Sequence, residues 1–180
     1  MKLYKVSCNY KYAFGDISVT YDSTTDFLSL NSETIDLLNK FGFDWQTNDS
    51  SIIPDVTIIV SELICLDEKA FNILRSLLTG IKFNPILIGN NSFKSLSNIP
   101  VLKNVLDLKH SKVKYFSTGD IMQISQPVFK TQDYPNLFKI EEIGGYFFCS
   151  EEFKRTIDFN NLKGISFEEC RVKSKSWFSL

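Results

Sequence analysis

Residues 146–168 read YFFCSEEFKRTIDFNNLKGISFE, and this stretch predicts a strand, a capped helix and a second strand. The apolar run ends at Ser150, whose hydroxyl can accept a hydrogen bond from the first turn of a helix. Glu151 follows, and an acidic side chain there suits the positive end of the helix dipole. The helical pattern closes at Gly164, which can adopt the left-handed conformation that stops a helix.

A similar pattern occurs earlier in the chain, where residues 57–83 read TIIVSELICLDEKAFNILRSLLTGIKF. Again an apolar run ends in Ser-Glu, at Ser61 and Glu62, and the helical pattern closes at Gly80. The additional residues around LICLD predict either a loop or a longer helix in this copy. The pattern leaves open whether this helix begins at Ser61 or at Asp67.

The rest of the chain alternates between strand and helix periodicities. The predicted elements are a first strand (2–8), a helix (31–42), a polar loop (44–51), a strand giving way to an exposed loop (82–98), a hairpin around 118–120, a hairpin with its turn in 141–145, and a last strand (164–172). Together they predict an α+β fold, with a mixed or mostly antiparallel sheet on which the two similar strand-helix-strand units pack.

Composition limits the classes of function. The 180 residues suit one domain, and 43% hydrophobic residues are ample for a core, which argues against disorder. Twenty basic and 21 acidic residues give no basic excess of the kind that marks a nucleic-acid binder. The N-terminus lacks an apolar signal segment, and charges interrupt the longest apolar stretch. We therefore expect a cytoplasmic protein that binds neither nucleic acid nor membrane.

Residues with catalytic chemistry are few. His110 is the only histidine, so a His-based metal site or a hydrolase that pairs it with Cys149 or Ser150 would depend on this one residue. A solvated loop histidine is the simpler interpretation. The four cysteines form no CxxC pair and are expected to be buried free thiols. We expect no enzymatic activity, no metal and no cofactor.

Four motifs, in order, carry a resemblance: IIVSE (58–62), NVLDLKHS (104–111), PNLFKI (135–140) and FFCSEEFKRTI with LKGISFE (147–168). Their order resembles a family of small bacterial immunity proteins encoded beside polymorphic toxins, formerly catalogued as a domain of unknown function. The resemblance covers residues 57–170 of a single domain (1–180), with an N-terminal strand and helix extension (1–56). The matching residues are Ser61, Glu62, Asn104, Val105, Asp107 or Leu108, Ser111, Phe138, Ser150, Glu151, Lys154, Leu162, Gly164 and Phe167.

The resemblance implies a protein that binds and neutralises a cognate toxin by occlusion, in competition between bacteria. It implies no catalysis, and its motifs consist of caps, core positions and turns, so the motif residues are expected to be structural. The alternative function is a small-molecule or peptide-binding module without catalytic activity.

We predict the toxin-facing surface on two polar loops, DWQTNDSS (44–51) and GNNSFKSLSN (89–98), because loops can vary without disturbing a core. Each contains one large aromatic residue, Trp45 or Phe93. Such a ring is either an anchor for the partner or folds back onto the domain. Asp44 and Asp49 would suit a basic toxin through charge complementarity.

Overall fold

The computed structural model describes residues 1–17, 42–46, 52–59 and 62–173. The fold is α+β, as predicted, and it consists mainly of strands. The elements are β1 (Leu3–Cys8), β2 (Phe14–Ile17), β3 (Phe43–Gln46), β4 (Val56–Ile59), β5 (Leu63–Leu66), α1 (Glu68–Leu74), β6 (Lys82–Ile88), β7 (Asn91–Ser97), β8 (Val101–Leu102), β9 (Lys112–Tyr115), β10 (Ile121–Gln126), β11 (Val128–Phe129), β12 (Leu137–Ile140), β13 (Ile143–Ser150), α2 (Glu151–Phe159) and β14 (Ile165–Val172). The helix predicted at 31–42 falls almost wholly outside the described residues.

A six-stranded mixed sheet has the order β11-β14-β1-β13-β12-β8. Strand β1 is antiparallel to both of its neighbours, β13 and β14. The two edge strands contain two residues each. Strand β11 is parallel to its neighbour β14, and strand β8 is parallel to its neighbour β12. The N-terminal strand therefore lies in the middle of this sheet, where it joins two segments from the end of the chain.

A four-stranded antiparallel sheet has the order β4-β5-β7-β6. Its strand β7 occupies most of 89–98, so the prediction of an exposed loop there is wrong. The polar composition misled because two serines of β7, Ser95 and Ser97, are buried and bonded within the sheet. Ser95 Oγ donates to the Asn84 carbonyl oxygen at 3.3 Å, and Ser97 Oγ accepts from Asn84 Nδ2 at 3.0 Å.

The two sheets enclose a central core with the helices, and each sheet has a further core on its other face. The hairpin β9–β10 packs against the outer core of the six-stranded sheet, and the β2–β3 pair packs against that of the four-stranded sheet. Both faces of each sheet are thus buried in part, which explains why strands such as β4 and β5 are buried at every position, without alternation.

The two strand-helix-strand units share a topology but not the predicted alignment. They are β5–α1–β6 and β13–α2–β14, and in each the two strands flank one antiparallel strand, β7 or β1. The residues LICL form strand β5, so they are neither the loop nor the longer helix that the sequence predicted. Helix α1 accordingly begins after Asp67, whose side chain accepts from the Ala70 N–H at 2.7 Å.

Gly164 does not end α2, because Asn161 adopts the left-handed conformation there with φ of 50°. Gly164 instead lies against β4. Its carbonyl oxygen accepts from the Asn9 N–H at 2.9 Å, and the neighbouring Lys163 carbonyl oxygen accepts from the Val56 N–H at 2.9 Å. A Cβ on Gly164 would overlap the Val56 carbonyl oxygen. This position therefore requires glycine for the close approach of two backbones as well as for its φ of 113°.

We predict that Gly164→Ala destabilises the fold by at least about 4 kcal/mol, or prevents folding, because the Cβ forces the β4 backbone away. Gly80→Ala is the matched control: its φ is 81° and nothing lies within 4 Å of its Cβ. We expect that control to cost about 1–2 kcal/mol, the strain of the left-handed conformation alone. Urea denaturation measures both, and equal costs would contradict the close approach.

Candidate functional site

Three of the motif residues lie in the segment between β8 and β9, where Asp107 and Ser111 flank one turn and Asn104 precedes it. Ser111 Oγ donates to the Asp107 carbonyl oxygen at 2.8 Å and accepts from the Val128 N–H at 2.9 Å. Asn104 has a φ of 56°, and its carbonyl oxygen accepts from Lys130 Nζ at 2.7 Å. The segment NVLDLKHS therefore forms a brace that holds the start of β9 against β11.

The Asp107 carboxylate is the acidic group of this brace, and its pKa is lowered in the folded protein. Its Oδ2 lies 2.9 Å from His110 Nδ1 and 2.9 Å from Lys173 Nζ, and its side chain is 11% exposed. Hydrogen bonds from Lys173 and His110 lower the pKa of Asp107 to about 2. This carboxylate therefore links Lys173, just after β14, to the turn that precedes β9.

Glu62 joins the two sheets. It lies in the turn between β4 and β5, and its carboxylate pairs with Lys139 of β12 in the other sheet. Both side chains are mostly buried, and Lys139 Nζ also lies 4.9 Å from the centre of the Phe147 ring. Ser61, its neighbour in the motif, lies outside the described residues. Glu62, the acid of the first Ser-Glu pair, thus forms an ion pair between the two sheets and does not begin a helix.

The second Ser-Glu pair begins α2 as predicted. Ser150 Oγ accepts from the Phe153 N–H at 3.1 Å and also donates to Asn136 Oδ1. Glu151 pairs with Arg155 one turn later at 3.0 Å. Phe167 is half-buried, with its ring edge-on to Tyr4 at 6.4 Å between centres. These motif residues and those of the brace lie in different parts of the fold, and each has a structural partner.

Of the residues predicted to contact a toxin, Trp45 and Phe93 pack on each other, and both rings fold back onto the domain. Phe93 is 2% exposed in the outer core of the four-stranded sheet. Trp45 is half-buried, 5.4 Å from the Phe93 ring centre, and its Nε1 donates to Asn91 Oδ1 at 3.0 Å. Asp44 is exposed in β3, where its Oδ1 accepts from the Trp45 N–H at 2.7 Å. Asp49 lies outside the described residues.

The residues of the hydrolase alternative also have structural partners. His110 is bonded to Asp107, and Ser150 caps α2. Cys149 is fully buried, and burial raises the pKa of its thiol far above the ordinary range. All four cysteines are free thiols, as expected, with Cys8 half-buried and the others buried. In the part of the chain that the structure describes, His, Cys, Asp and Glu side chains form no group of three able to hold a metal.

The hairpin β9–β10 presents the clearest exposed apolar surface. Tyr115 and Phe116 are each 53% exposed and Met122 is 56% exposed, beside the turn at 117–120. Lys112 and Lys114 are also exposed, on strand β9 of the same hairpin. We call these five residues the hairpin surface. The sequence analysis predicted the hairpin but overlooked this surface, although two adjacent aromatic residues next to a Ser-Thr-Gly-Asp turn could have indicated it.

A cleft lies where β1 and β13 separate. This β1–β13 cleft has a volume of about 330 Å³. Its lining includes aromatic side chains from three strand regions, Tyr10 and Phe14 on one side and Tyr146 and Phe147 on the other. Tyr10 and Phe14 meet edge to face, with ring centres 5.2 Å apart. Lys5 Nζ lies 3.9 Å from the centre of the Tyr146 ring.

Comparison with known proteins adds no family: neither a protein-family model nor a curated protein sequence matches this chain. Among the described residues, no helix is both long enough and apolar enough to cross a membrane.

We predict that Asp107→Asn removes a pH-dependent part of the stability. Because the pKa of Asp107 is about 2 in the folded protein and lies near 4 in an unfolded chain, the carboxylate stabilises the fold above pH about 4. That contribution is lost as the pH falls from about 4 to 2. Urea denaturation across this range should show the two proteins diverging with rising pH and levelling off above about 5.

Lys173→Gln tests what lowers the pKa of Asp107. This variant removes the Lys173 ammonium group, the first cause of the lowered pKa, but keeps the Asp107 carboxylate. We expect it to reproduce part of the same pH-dependent loss. Parallel stability profiles for the original protein and Asp107→Asn at every pH would contradict the assignment.

Proposed function

We propose that this chain is an immunity-type inhibitor, which binds a cognate polymorphic toxin and blocks the toxin by covering it. Two independent lines support the proposal. One is the resemblance of four ordered motifs to the immunity family, and the other is the hairpin surface. The motif residues themselves support the frame of the domain, so the binding energy must come from residues outside the motifs.

The hairpin surface is the observation that carries the proposal. Tyr115, Phe116 and Met122 are each more than half exposed within one hairpin, and exposed apolar patches are typical of surfaces that bind another protein. Tyr115 lies directly opposite Ile121 across the hairpin, and Ile121 packs in part against the core beneath. Ile124, further along β10, is buried in that core. The hairpin is therefore anchored on that core through Ile121 and Ile124 of β10, while Tyr115 and Phe116 remain more than half exposed.

The charges of this hairpin indicate the chemistry of the partner. Lys112, Lys114 and Lys109 of the preceding turn lie within one short segment, and each is exposed. An acidic patch on the toxin would complement them and would speed the encounter more than it tightens the complex. The aromatic residues would supply most of the affinity, since a few buried aromatic anchors usually dominate an interface.

Occlusion requires no chemistry from the inhibitor. A stable complex of standard size buries roughly 800 Å² on each partner. The hairpin surface is a suitable centre for such an interface, with the adjoining exposed residues as its rim. An inhibitor that acts in this way needs a stable frame and a cluster of anchors, and the ordered sheets and the exposed residues of the hairpin surface support the proposal on these two points.

We predict that the double variant Tyr115→Ala/Phe116→Ala binds the toxin encoded beside this chain at least about 100-fold more weakly, as loss of two anchors would cause. Its melting temperature should change little, because both rings are half exposed. Calorimetry with the purified toxin measures binding, and survival of bacteria that co-express both proteins measures protection.

Phe159→Ala is the matched control. Phe159 is 91% exposed on α2, so its removal also takes an exposed phenyl ring from the surface. We expect this variant to protect fully. If the original protein neither binds the toxin nor protects against it, the proposed function is wrong; if the double variant binds as well as the original, only the location of the interface is wrong.

The alternative function, a small-molecule or peptide-binding module, is favoured by one observation, the β1–β13 cleft. Its volume of about 330 Å³ is near the lower end of the range of ligand pockets, about 300–1,000 Å³. A saturable rise in melting temperature with a metabolite, in a protein that does not bind the neighbouring toxin, would favour this alternative.

A further inference from the structure

Helix α2 turns one stripe of side chains away from the core. Of the described large apolar residues, Phe159 is the most exposed, at 91%. Arg155 and Glu152, one and two turns before it, are also exposed. The spacing i, i+3 and i+7 places these three residues along one side of the helix. The other side carries Phe153 and Ile157, which are buried in the central core. We call Glu152, Arg155 and Phe159 the α2 stripe.

The α2 stripe carries one charge of each sign. Within the described part of the chain, Glu152 forms no ion pair, and Arg155 pairs with Glu151 of its own helix at 3.0 Å. An exposed pair of that kind contributes little stability, and the guanidinium has donors left for a second carboxylate. When two such helices lie antiparallel, each Arg155 comes to the Glu152 of the other. The stripe is therefore complementary in charge to a second copy of itself.

Two hollows adjoin at Glu152, which lines both. One, of about 600 Å³, lies along α2 itself. The other, of about 370 Å³, adjoins the start of α2, and its walls include Pro100, Tyr134 and Pro135. In the antiparallel arrangement, Phe159 of each copy reaches the Glu152 end of the other, where these hollows lie. A projecting ring and a hollow to receive it thus lie on one face, as a two-fold contact requires.

We propose that two copies of this chain form an antiparallel, two-fold dimer through the α2 stripe. The contact consists of two reciprocal Arg155–Glu152 ion pairs and of two Phe159 rings, each covered by the other copy. Helix α2 has nine residues, so the contact is smaller than the roughly 800 Å² per partner of a standard interface. We therefore expect a weak dimer, with a Kd of about 10–100 μM.

The position of α2 keeps this contact apart from the hairpin surface. Helix α2 packs on the central core, whereas the β9–β10 hairpin packs on the opposite face of the six-stranded sheet. Strand β3, next to the undescribed residues 18–41, packs on the outer face of the other sheet. A dimer through α2 leaves both hairpin surfaces open, so this inference does not rest on the proposed function. The two-fold contact also uses the stripe of both copies and cannot grow into a fibre.

Sedimentation equilibrium of the full-length protein, at concentrations from about 1 to 500 μM, tests for the dimer. We expect the mean mass to rise from that of one copy toward that of two across this range. The mass of a single copy at every concentration would overturn the proposal.

Exchanging the charges of the stripe tests its antiparallel arrangement. Arg155→Glu alone and Glu152→Arg alone each place like charges opposite one another, so each variant should associate at least about tenfold more weakly than the original protein. An equimolar mixture of the two variants should regain the original affinity, because opposite charges then face each other. Full association of either variant alone, or a mixture that stays monomeric, would overturn the arrangement.

Phe159→Ala tests the contribution of the ring, and Leu87→Ala is its matched control. Leu87 is 63% exposed on β6, so both changes remove an exposed apolar side chain. We expect Phe159→Ala to weaken the dimer at least about tenfold and Leu87→Ala to leave it unchanged, with both melting temperatures preserved. Phe159→Ala added to both charge variants should also abolish the recovery in their mixture, which excludes a simple attraction between net charges.

The reverse result, a dimer that depends on Leu87 and not on Phe159, would overturn the assignment to α2. A protein that dimerises through α2 but does not bind the toxin would leave this inference intact while the proposed function failed. A monomeric protein that protects against the toxin would do the opposite.

Discussion

The contact between Gly164 and the backbone of β4 is the constraint on which the joining of the two sheets depends. Around it, Lys163 receives a hydrogen bond from Val56, and the Lys163 N–H donates to Asp55 Oδ2 at 2.7 Å. Gly164 itself receives the bond from Asn9, at the end of β1. Segments from the beginning, middle and end of the chain thus meet at one residue without a side chain. A larger residue would separate all three.

The sequence predicted local elements well and long-range relations poorly. Ser150 predicted the start of α2 because its cap depends on residues within one turn, and the hairpin at 118–120 likewise depends on a local turn. The sequence analysis misjudged β7, since the serines that suggested a loop are satisfied by Asn84 on another strand. It also could not foresee that Phe93 would be covered by Trp45. Burial of polar or aromatic residues by distant segments leaves no local pattern.

The motif residues and the surfaces available to a partner are separate in this fold. Glu62 ties two sheets, Asp107 and Ser111 brace a turn, and Ser150 caps a helix. The exposed rings of Tyr115 and Phe116 belong to none of the four motifs. This division has a physical reason: each motif residue has a partner within the fold that a substitution would remove, whereas the exposed rings of the hairpin can change with little effect on the core.

The edges of both sheets limit self-association. The six-stranded sheet ends on either side in a strand of two residues, which offers too few free backbone groups for a second molecule to extend the sheet. In the four-stranded sheet, the edge strand β6 contains Pro85, which has no N–H to donate. A chain with this much strand and so many phenylalanines would otherwise be prone to form fibres. The short strands β8 and β11 and the proline in β6 therefore discourage a second molecule from pairing at these three edges.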